Sequence, residues 1–228
     1  MSGARTHELR AGRLRATLLA PGPIGHSLPL VLFLHGIGEC GTDASMVQSR
    51  SLPSIARADP SLWPAPMLIP QKPDPQRQWE DHAEEIIQLL DRSLEHGVAG
   101  ACVITGNSQG GHGALVIAAR HPDRFERVLS VCPYADPPEN GYGASDWPFD
   151  ARSALVAEIA SGLRSTPVRI THGLDDEIVP PDHARGLLVA ISAGGGDCRL
   201  ELMPETDHDA WSETYSRADY AAWLLGIG

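Results

Sequence analysis

Hydrophobic positions along this chain fall into two alternating kinds of run. Short, nearly unbroken apolar stretches stand at 30–34 (Leu-Val-Leu-Phe-Leu) and 101–105 (Ala-Cys-Val-Ile-Thr). Their length and β-branched content predict strands buried on both faces, as in a parallel sheet. Further strands are predicted at 14–19, as an edge strand, at 67–69, where Pro70 ends it, at 128–132, at 168–172 and at 198–203. Between them lie helical patterns. Residues 82–96 place Ile86, Ile87, Leu90 and Leu94 on one face, with Asp81 as N-cap and Gly97 past the end. Helices are also predicted over 114–119, 151–163, 182–193, which the glycines 194–196 close, and 211–225. Strands alternating with helices imply an α/β domain spanning 1–228, a mostly parallel, twisted sheet with helices on both faces. The proline-, glycine- and aromatic-rich excursion at 133–150 suits a loop, or at most a short lid.

Composition narrows the partners. A net charge of −11, with a single lysine (Lys72) among the 18 basic residues, leaves no basic patch and argues against nucleic acid and anionic membranes. The segment 1–5 has no apolar signal region, and 28–34 is too short and proline-interrupted to span a bilayer. Cys40, Cys102, Cys132 and Cys198 show no paired spacing, and three of them fall in strands predicted to be buried, where a thiol behaves as a small hydrophobe. A reduced, cytoplasmic protein is expected, as a monomer or homodimer. No His-Glu-x-x-His or Cys/His ligand spacing occurs, so neither metal nor cofactor is expected.

Candidate chemistry gathers where predicted strands end, the place where open parallel sheets put functional residues. Gly106-Asn107-Ser108-Gln109-Gly110 matches G-x-S-x-G, with a strand before it and a helix after. A strand turning into a helix within one residue forces strained dihedrals on the serine, and the flanking glycines remove side chains that would clash. By itself the motif is also what a glycine-rich packing turn looks like. After the 30–34 run stands His35-Gly36-Ile37, where the N–H of Ile37 can pair with that of Gln109 as an oxyanion hole. After 168–172 come Asp175, Asp176 and Glu177, and after 198–203 comes His208. His7, His26, His82, His96, His121 and His183 read as surface or cap positions, and His112 as packing at the start of the helix behind Ser108. The order Ser108, Asp176, His208, each just past a strand, is the triad order of one hydrolase superfamily. Trp79, Tyr134, Tyr142 and Trp147 are candidates for an apolar wall beside the serine.

The chain resembles the small carboxylesterase/phospholipase branch of the α/β-hydrolases, and within it the bacterial esterases described as predicted peptidases. The resemblance rests on Phe33-Leu-His-Gly-Ile-Gly-Glu-Cys-Gly41, Pro70-Gln-Lys-Pro73 with Trp79 downstream, Gly106-Asn-Ser-Gln-Gly-Gly111, His121-Pro-Asp-Arg-Phe125, His172-Gly-Leu-Asp-Asp-Glu-Ile-Val-Pro180 and His208-Asp-Ala-Trp-Ser-Glu-Thr-Tyr215 with Trp223-Leu-Leu225. It implies an α/β-hydrolase fold and a triad of Ser108, His208 and Asp176, the His172-Gly173 and Val179-Pro180 register selecting Asp176 over Asp175. It further implies an oxyanion hole from Ile37 and Gln109, and substrate contacts at Gly36, Trp79, Trp147 and Ile178. Cys40 departs from the pattern, since many relatives carry arginine there. The expected activity is cofactor-free hydrolysis of a small-molecule ester, short acyl chains favoured. A thioesterase or peptidase on the same triad is the alternative, and an acyltransferase, a cyclase or a non-catalytic binder stands behind it.

Overall fold

The computed structural model describes residues 5–20, 28–98, 100–138 and 147–227 of the 228-residue chain. In chain order the elements are β1 (Arg5–Ala11), β2 (Leu14–Ala20), β3 (Leu30–Leu34), α1 (Ala44–Gln48), α2 (Ser51–Ala58), β4 (Met67–Gln71), α3 (Ala83–Leu94), β5 (Cys102–Asn107), α4 (Gln109–Arg120), β6 (Val128–Val131), α5 (Ala154–Gly162), β7 (Val168–Gly173), α6 (Asp182–Ala193), β8 (Cys198–Met203), α7 (Ala210–Ser216) and α8 (Ala218–Leu225). The eight strands form one sheet ordered β1-β2-β4-β3-β5-β6-β7-β8. Pairing is antiparallel from β1 through β2 to β4 and parallel from β4 onward.

Strand alternation sorts the core into two layers. Leu30, Leu32 and Leu34 join Ile104, Val128 and Ile170 beneath α3, α4, α5 and α6. Val31 and Phe33 point the other way, with Val103, Leu129 and Met67, toward α2, α7 and α8. A fully buried leucine such as Leu32 contributes about 2 kcal/mol. A one-residue slip of β3 would therefore exchange the two packed sets.

Several expectations need correction. The 14–19 strand is not at the edge, because β1 lies outside it in full antiparallel register. β1 lacks an apolar signature since only Leu9 and Ala11 of its seven residues are buried, and a tight turn at Gly12 (φ +53°) brings it back onto β2. The helix expected from 211 to 225 breaks at Arg217, which is extended. The Arg217 guanidinium there donates to Asp219 and Glu201. Asp81 does not cap α3. It sits in the 3₁₀ turn Trp79–His82, accepting from the N–H of Gln78 at 3.1 Å, and the helix begins directly after it, at Ala83. Its buried stripe is Ile86, Leu89, Leu90 and Ser93, while Leu94 is exposed. α5 starts at Ala154 because the Ser153 hydroxyl accepts from the N–H groups of Leu155 and Val156. His82 stands at the N-cap of α3, as a cap reading expects, but it and His183 are buried and not surface positions. Cys198 lies on the sheet's last strand and is only half-buried. In the 133–150 excursion, 139–146 with Tyr142 lie outside the described residues, and the flanking parts contain no helix or strand.

Candidate active site

Ser108 follows β5 directly and caps α4 with φ 55° and ψ −119°, the strained turn that the G-x-S-x-G spacing predicts. A Cβ at Gly106 would run into the carbonyl of Gly110, and one at Gly110 into the carbonyl of Leu34. Both glycines are therefore required by the close approach of α4 to β3 and β5. Asp176 follows β7 and His208 follows β8, so the side chains meet above the carboxyl ends of neighbouring strands.

The three sequence-predicted residues form one hydrogen-bonded chain. His208 Nδ1 lies 2.7 Å from Asp176 Oδ2, and His208 Nε2 lies 3.0 Å from Ser108 Oγ. With Asp176 ionised, Nδ1–H donates to it and leaves Nε2 to accept the serine proton. Asp176 Oδ1 accepts the backbone N–H groups of Ile178 and Val179, each at 2.9 Å. Burial alone would raise the Asp176 carboxyl. The bonds from His172 and His208 outweigh it and hold that carboxyl well below the usual carboxylate range. Asp175 is exposed.

His172 is a member of this cluster that sequence reasoning passed over. Its Nε2 lies 3.1 Å from Asp176 Oδ2 and 2.9 Å from the Val179 carbonyl. A carbonyl can only accept, so Nε2 carries the proton, and Nδ1 is left buried without a partner. The signal was its i,i+4 spacing to Asp176 at the end of a strand. Cys132 also approaches, its sulfur lying within 4.8 Å of ligand-type atoms of Asp176 and His208. Burial, and then the Asp176 charge, push this thiol well above its ordinary value, which disfavours the thiolate that a metal would need.

The oxyanion candidates are held from behind. Gln109 is the first residue of α4, whose opening N–H groups have no partner within the helix. Ile37 opens the 3₁₀ turn Ile37–Glu39 after the extended Gly36. A Cβ on Gly36 would stand 3.2 Å from the Asn107 amide nitrogen and from Glu39 Oε2, so the loop packs closely on the residue before Ser108. His35 fixes the loop's base. Its Nδ1 donates to the Gly36 carbonyl at 2.6 Å, and its Nε2 accepts the Lys72 N–H at 3.0 Å. Burial first, and then the Lys72 charge, lower His35 to about 4, so the ring is neutral.

The predicted substrate contacts divide. Trp79 is fully buried. Its indole N–H donates to the His35 carbonyl at 2.9 Å, and it packs where a Cβ on Gly113 would collide with it. It packs behind the loop that carries Gly36 and Ile37. Trp147 and Tyr134 pack with Val179 as a small buried cluster, with Trp147 tilted over His183 at 4.7 Å and Tyr134 stacked on His112 at 4.3 Å. His112 also approaches Glu80 Oε1 at 3.2 Å. Ile37 and Ile178 remain exposed, at 36% and 44%.

Residues 56–195, more than half the chain, match the Esterase family model. This span holds Ser108 and Asp176 and ends before His208. Over 69 residues, 29% of the chain, the sequence is 38% identical to an S-formylglutathione hydrolase of Paracoccus denitrificans (strain Pd 1222) and spans 24% of that relative's length. Three solved structures resemble this one. A thermostable esterase has 21% identity and TM-score 0.75, over 97% of this chain and 62% of its own. A puromycin-hydrolyzing peptidase of Mycobacterium tuberculosis has 19% and 0.73, over 100% and 40%. A ferulic acid esterase has 17% and 0.68, over 99% and 98%. At these identities the likeness is one of fold. The mostly parallel eight-stranded sheet is thus that of the α/β-hydrolases, and the chain belongs to the Esterase family.

Proposed function

We propose that this protein hydrolyses small carboxylic esters through an acyl-enzyme, with Ser108 as nucleophile, His208 as general base and acid, and Asp176 as the group that orients and charge-stabilises the imidazole. The observation that carries this reading is the chain of bonds from Ser108 to His208 to Asp176, at 3.0 and 2.7 Å, built on a serine strained at the end of a central strand. His208 Nε2 takes the Ser108 proton as Oγ attacks the ester carbonyl. The tetrahedral oxyanion then accepts from the N–H groups of Ile37 and Gln109, and His208 returns the proton to the departing alkoxide. Water, deprotonated by the same nitrogen, attacks the acyl carbon and releases the acid and Ser108.

The acyl group would rest on Ile37, Gly36 and Ile178, near the edge of the Trp147 cluster. With Trp79 and Tyr134 buried in support of the loops, and no helix over the site in the described parts of 133–150, this is a shallow surface suited to short acyl chains. Free cysteines throughout agree with a reducing, cytoplasmic setting. Among the described residues, no helix is long and apolar enough to cross a membrane.

The test is kcat/KM for acetyl, butyryl, octanoyl and palmitoyl p-nitrophenyl esters, with a matched thioester and anilide, on wild type and Ser108→Ala. Expected are a maximum at short acyl chains, far slower anilide cleavage, and a loss on the order of 10³-fold or more in the variant. A fluorophosphonate should label one site, Ser108. Undiminished turnover by Ser108→Ala would remove the serine mechanism, and a palmitoyl maximum would remove the shallow pocket.

A further inference from the structure

The chain's single lysine, Lys72, lies just past the end of β4 and is fully buried. Burying an ammonium is costly unless its protons find good acceptors. Its Nζ donates to Gln109 Oε1 at 2.6 Å and to the carbonyl of Arg77. No ion pair to this ammonium is found among the described residues. The backbone of the same residue donates to His35 Nε2 at 3.0 Å. The Trp79 ring, whose N–H holds the His35 carbonyl, stands 5.8 Å from Nζ.

We propose that Lys72 is a positioning residue that ties the two halves of the oxyanion hole together. Its N–H fixes His35 at the base of the Gly36-Ile37 loop, and its ammonium fixes the Gln109 side chain, whose backbone N–H is the second donor. The inference rests on the serine-esterase reading above. A side chain present only to fill space would need no charge, and a methionine would occupy nearly the same volume. A charge here does something a methionine cannot. It pins an amide whose own residue starts α4, and it draws the segment 72–79 onto both donors.

The proposal predicts an alkaline limb. Burial lowers the Lys72 amine below its ordinary value, while Cys40, Glu80, Asp74 and Asp81, the ionisable groups facing it, oppose that shift in this order. His35 on the remaining side is neutral. As pH rises and the ammonium loses its proton, the hold on Gln109 weakens and kcat falls, with KM little changed.

The experiment is steady-state turnover of a short p-nitrophenyl ester between neutral and alkaline pH. It uses wild type, Lys72→Met, Gln109→Leu and the double variant, each first shown to be folded by circular dichroism and labelled at Ser108 by a fluorophosphonate. Lys72→Met should lower kcat about 10²-fold, the effect of a misplaced donor and no more than that of a missing one. KM should stay within about twofold and the alkaline limb should vanish. The double variant should lose no more than the worse single variant, because both act through one bond. Cys40→Ser should keep the limb, and its disappearance there would assign the limb to the thiol and overturn the proposal. Wild-type kcat with an unchanged limb in Lys72→Met would overturn it too. Should Lys72→Met not fold, wild type labelled with ¹³C-lysine gives a single Cε resonance, and its titration midpoint must coincide with the limb. A mismatch refutes the role. Failure of Ser108 labelling, or activity in Ser108→Ala, would strike the esterase reading instead.

Discussion

Lowering the pH should unfasten the oxyanion loop through one buried imidazole. His35 is 1% exposed, with both ring nitrogens committed to backbone partners. Protonation would place a second hydrogen on Nε2, against the Lys72 N–H that now donates to it. The folded value of about 4 against an ordinary 6.5 corresponds to about 3 kcal/mol of linkage. The sign follows from which state binds the proton first. Above about 6.5 the ring is neutral in both states and its contribution to stability is complete. As pH falls below that, the unfolded chain takes up a proton that the folded one refuses, and the contribution drains away until about pH 4. His35→Gln keeps an acceptor for Lys72 and cannot titrate. It loses the Gly36 bond, which costs about 1 kcal/mol at pH 7. Urea unfolding followed by tryptophan fluorescence at pH 7.5, 6.5, 5.5 and 4.5 should then show the gap between wild type and variant closing and reversing, by about 3 kcal/mol across the series. Groups such as Asp176 and His183 titrate in both proteins and cancel in the difference. A gap that stays constant from pH 7.5 to 4.5 would mean that His35 is not held neutral, and the account of the loop's base would fall.

Asp176→Asn should cost kcat about 10³-fold or more, since an amide in place of the carboxylate favours the wrong imidazole tautomer, while exposed Asp175→Asn should change it little; kinetics in the reverse order would shift the acid by one residue. Gly110→Ala should destabilise by about 4 kcal/mol or fail to fold, because its Cβ would enter the Leu34 and His35 carbonyls, and a urea midpoint near wild type would contradict that packing. Chelators should leave activity intact, since Cys132 is held as a thiol and His208 Nδ1 is engaged with Asp176; inhibition by EDTA that added zinc reverses would show that this trio binds metal.

Much of this was legible before any coordinates because the central strands carry their signal in composition. Leu30–Leu34 and Cys102–Asn107 are buried on both faces, so almost every residue is apolar or small and the run ends where the chemistry starts. That is why Ser108, Asp176 and His208 stood out as candidates by their order after strands, with the family register needed to choose Asp176 over Asp175. The periphery gives no such signal. In β1 the ladder to β2, and not side-chain burial, makes the strand, and polar residues pair as well as apolar ones in a ladder. α1 and α2 are short helices started by a cap at Asp43 and a left-handed Ser51, features with no periodicity to detect. The aromatic residues misled for a different reason. Size and polarity marked Trp79 as important, but its partners, Gly113 and the His35 carbonyl, come from elements distant in sequence. Lys72 and His172 escaped notice likewise, since a lysine after a strand or a histidine before a glycine is ordinarily exposed or merely packed.

The strain at Ser108 raises the question of what holds it. Cys132, which follows β6 as Ser108 follows β5, is also left-handed, at φ 40°, so two adjacent strands end in strained residues beside the triad. Each costs about 1–3 kcal/mol. Both still donate to the neighbouring strand, Ser108 N–H to the Val131 carbonyl at 2.9 Å and Cys132 N–H to the Thr171 carbonyl at 2.7 Å. The sheet therefore fixes the amino side of each residue while the chain turns away after it. One such bond contributes only about 1 kcal/mol net, too little to offset the strain unaided. The remainder comes from behind the turn, where Leu115, Val116 and Ile117 of α4 are fully buried at about 2 kcal/mol apiece. That burial requires α4 to start where it does, and the chain reaches that start from β5 only through a left-handed residue 108. The backbone geometry of Ser108 is thus set by core packing and the ladder, with neither His208 nor Asp176 needed to hold it. Replacing the Ser108 hydroxyl with hydrogen should therefore leave the fold intact, which circular dichroism of Ser108→Ala would check.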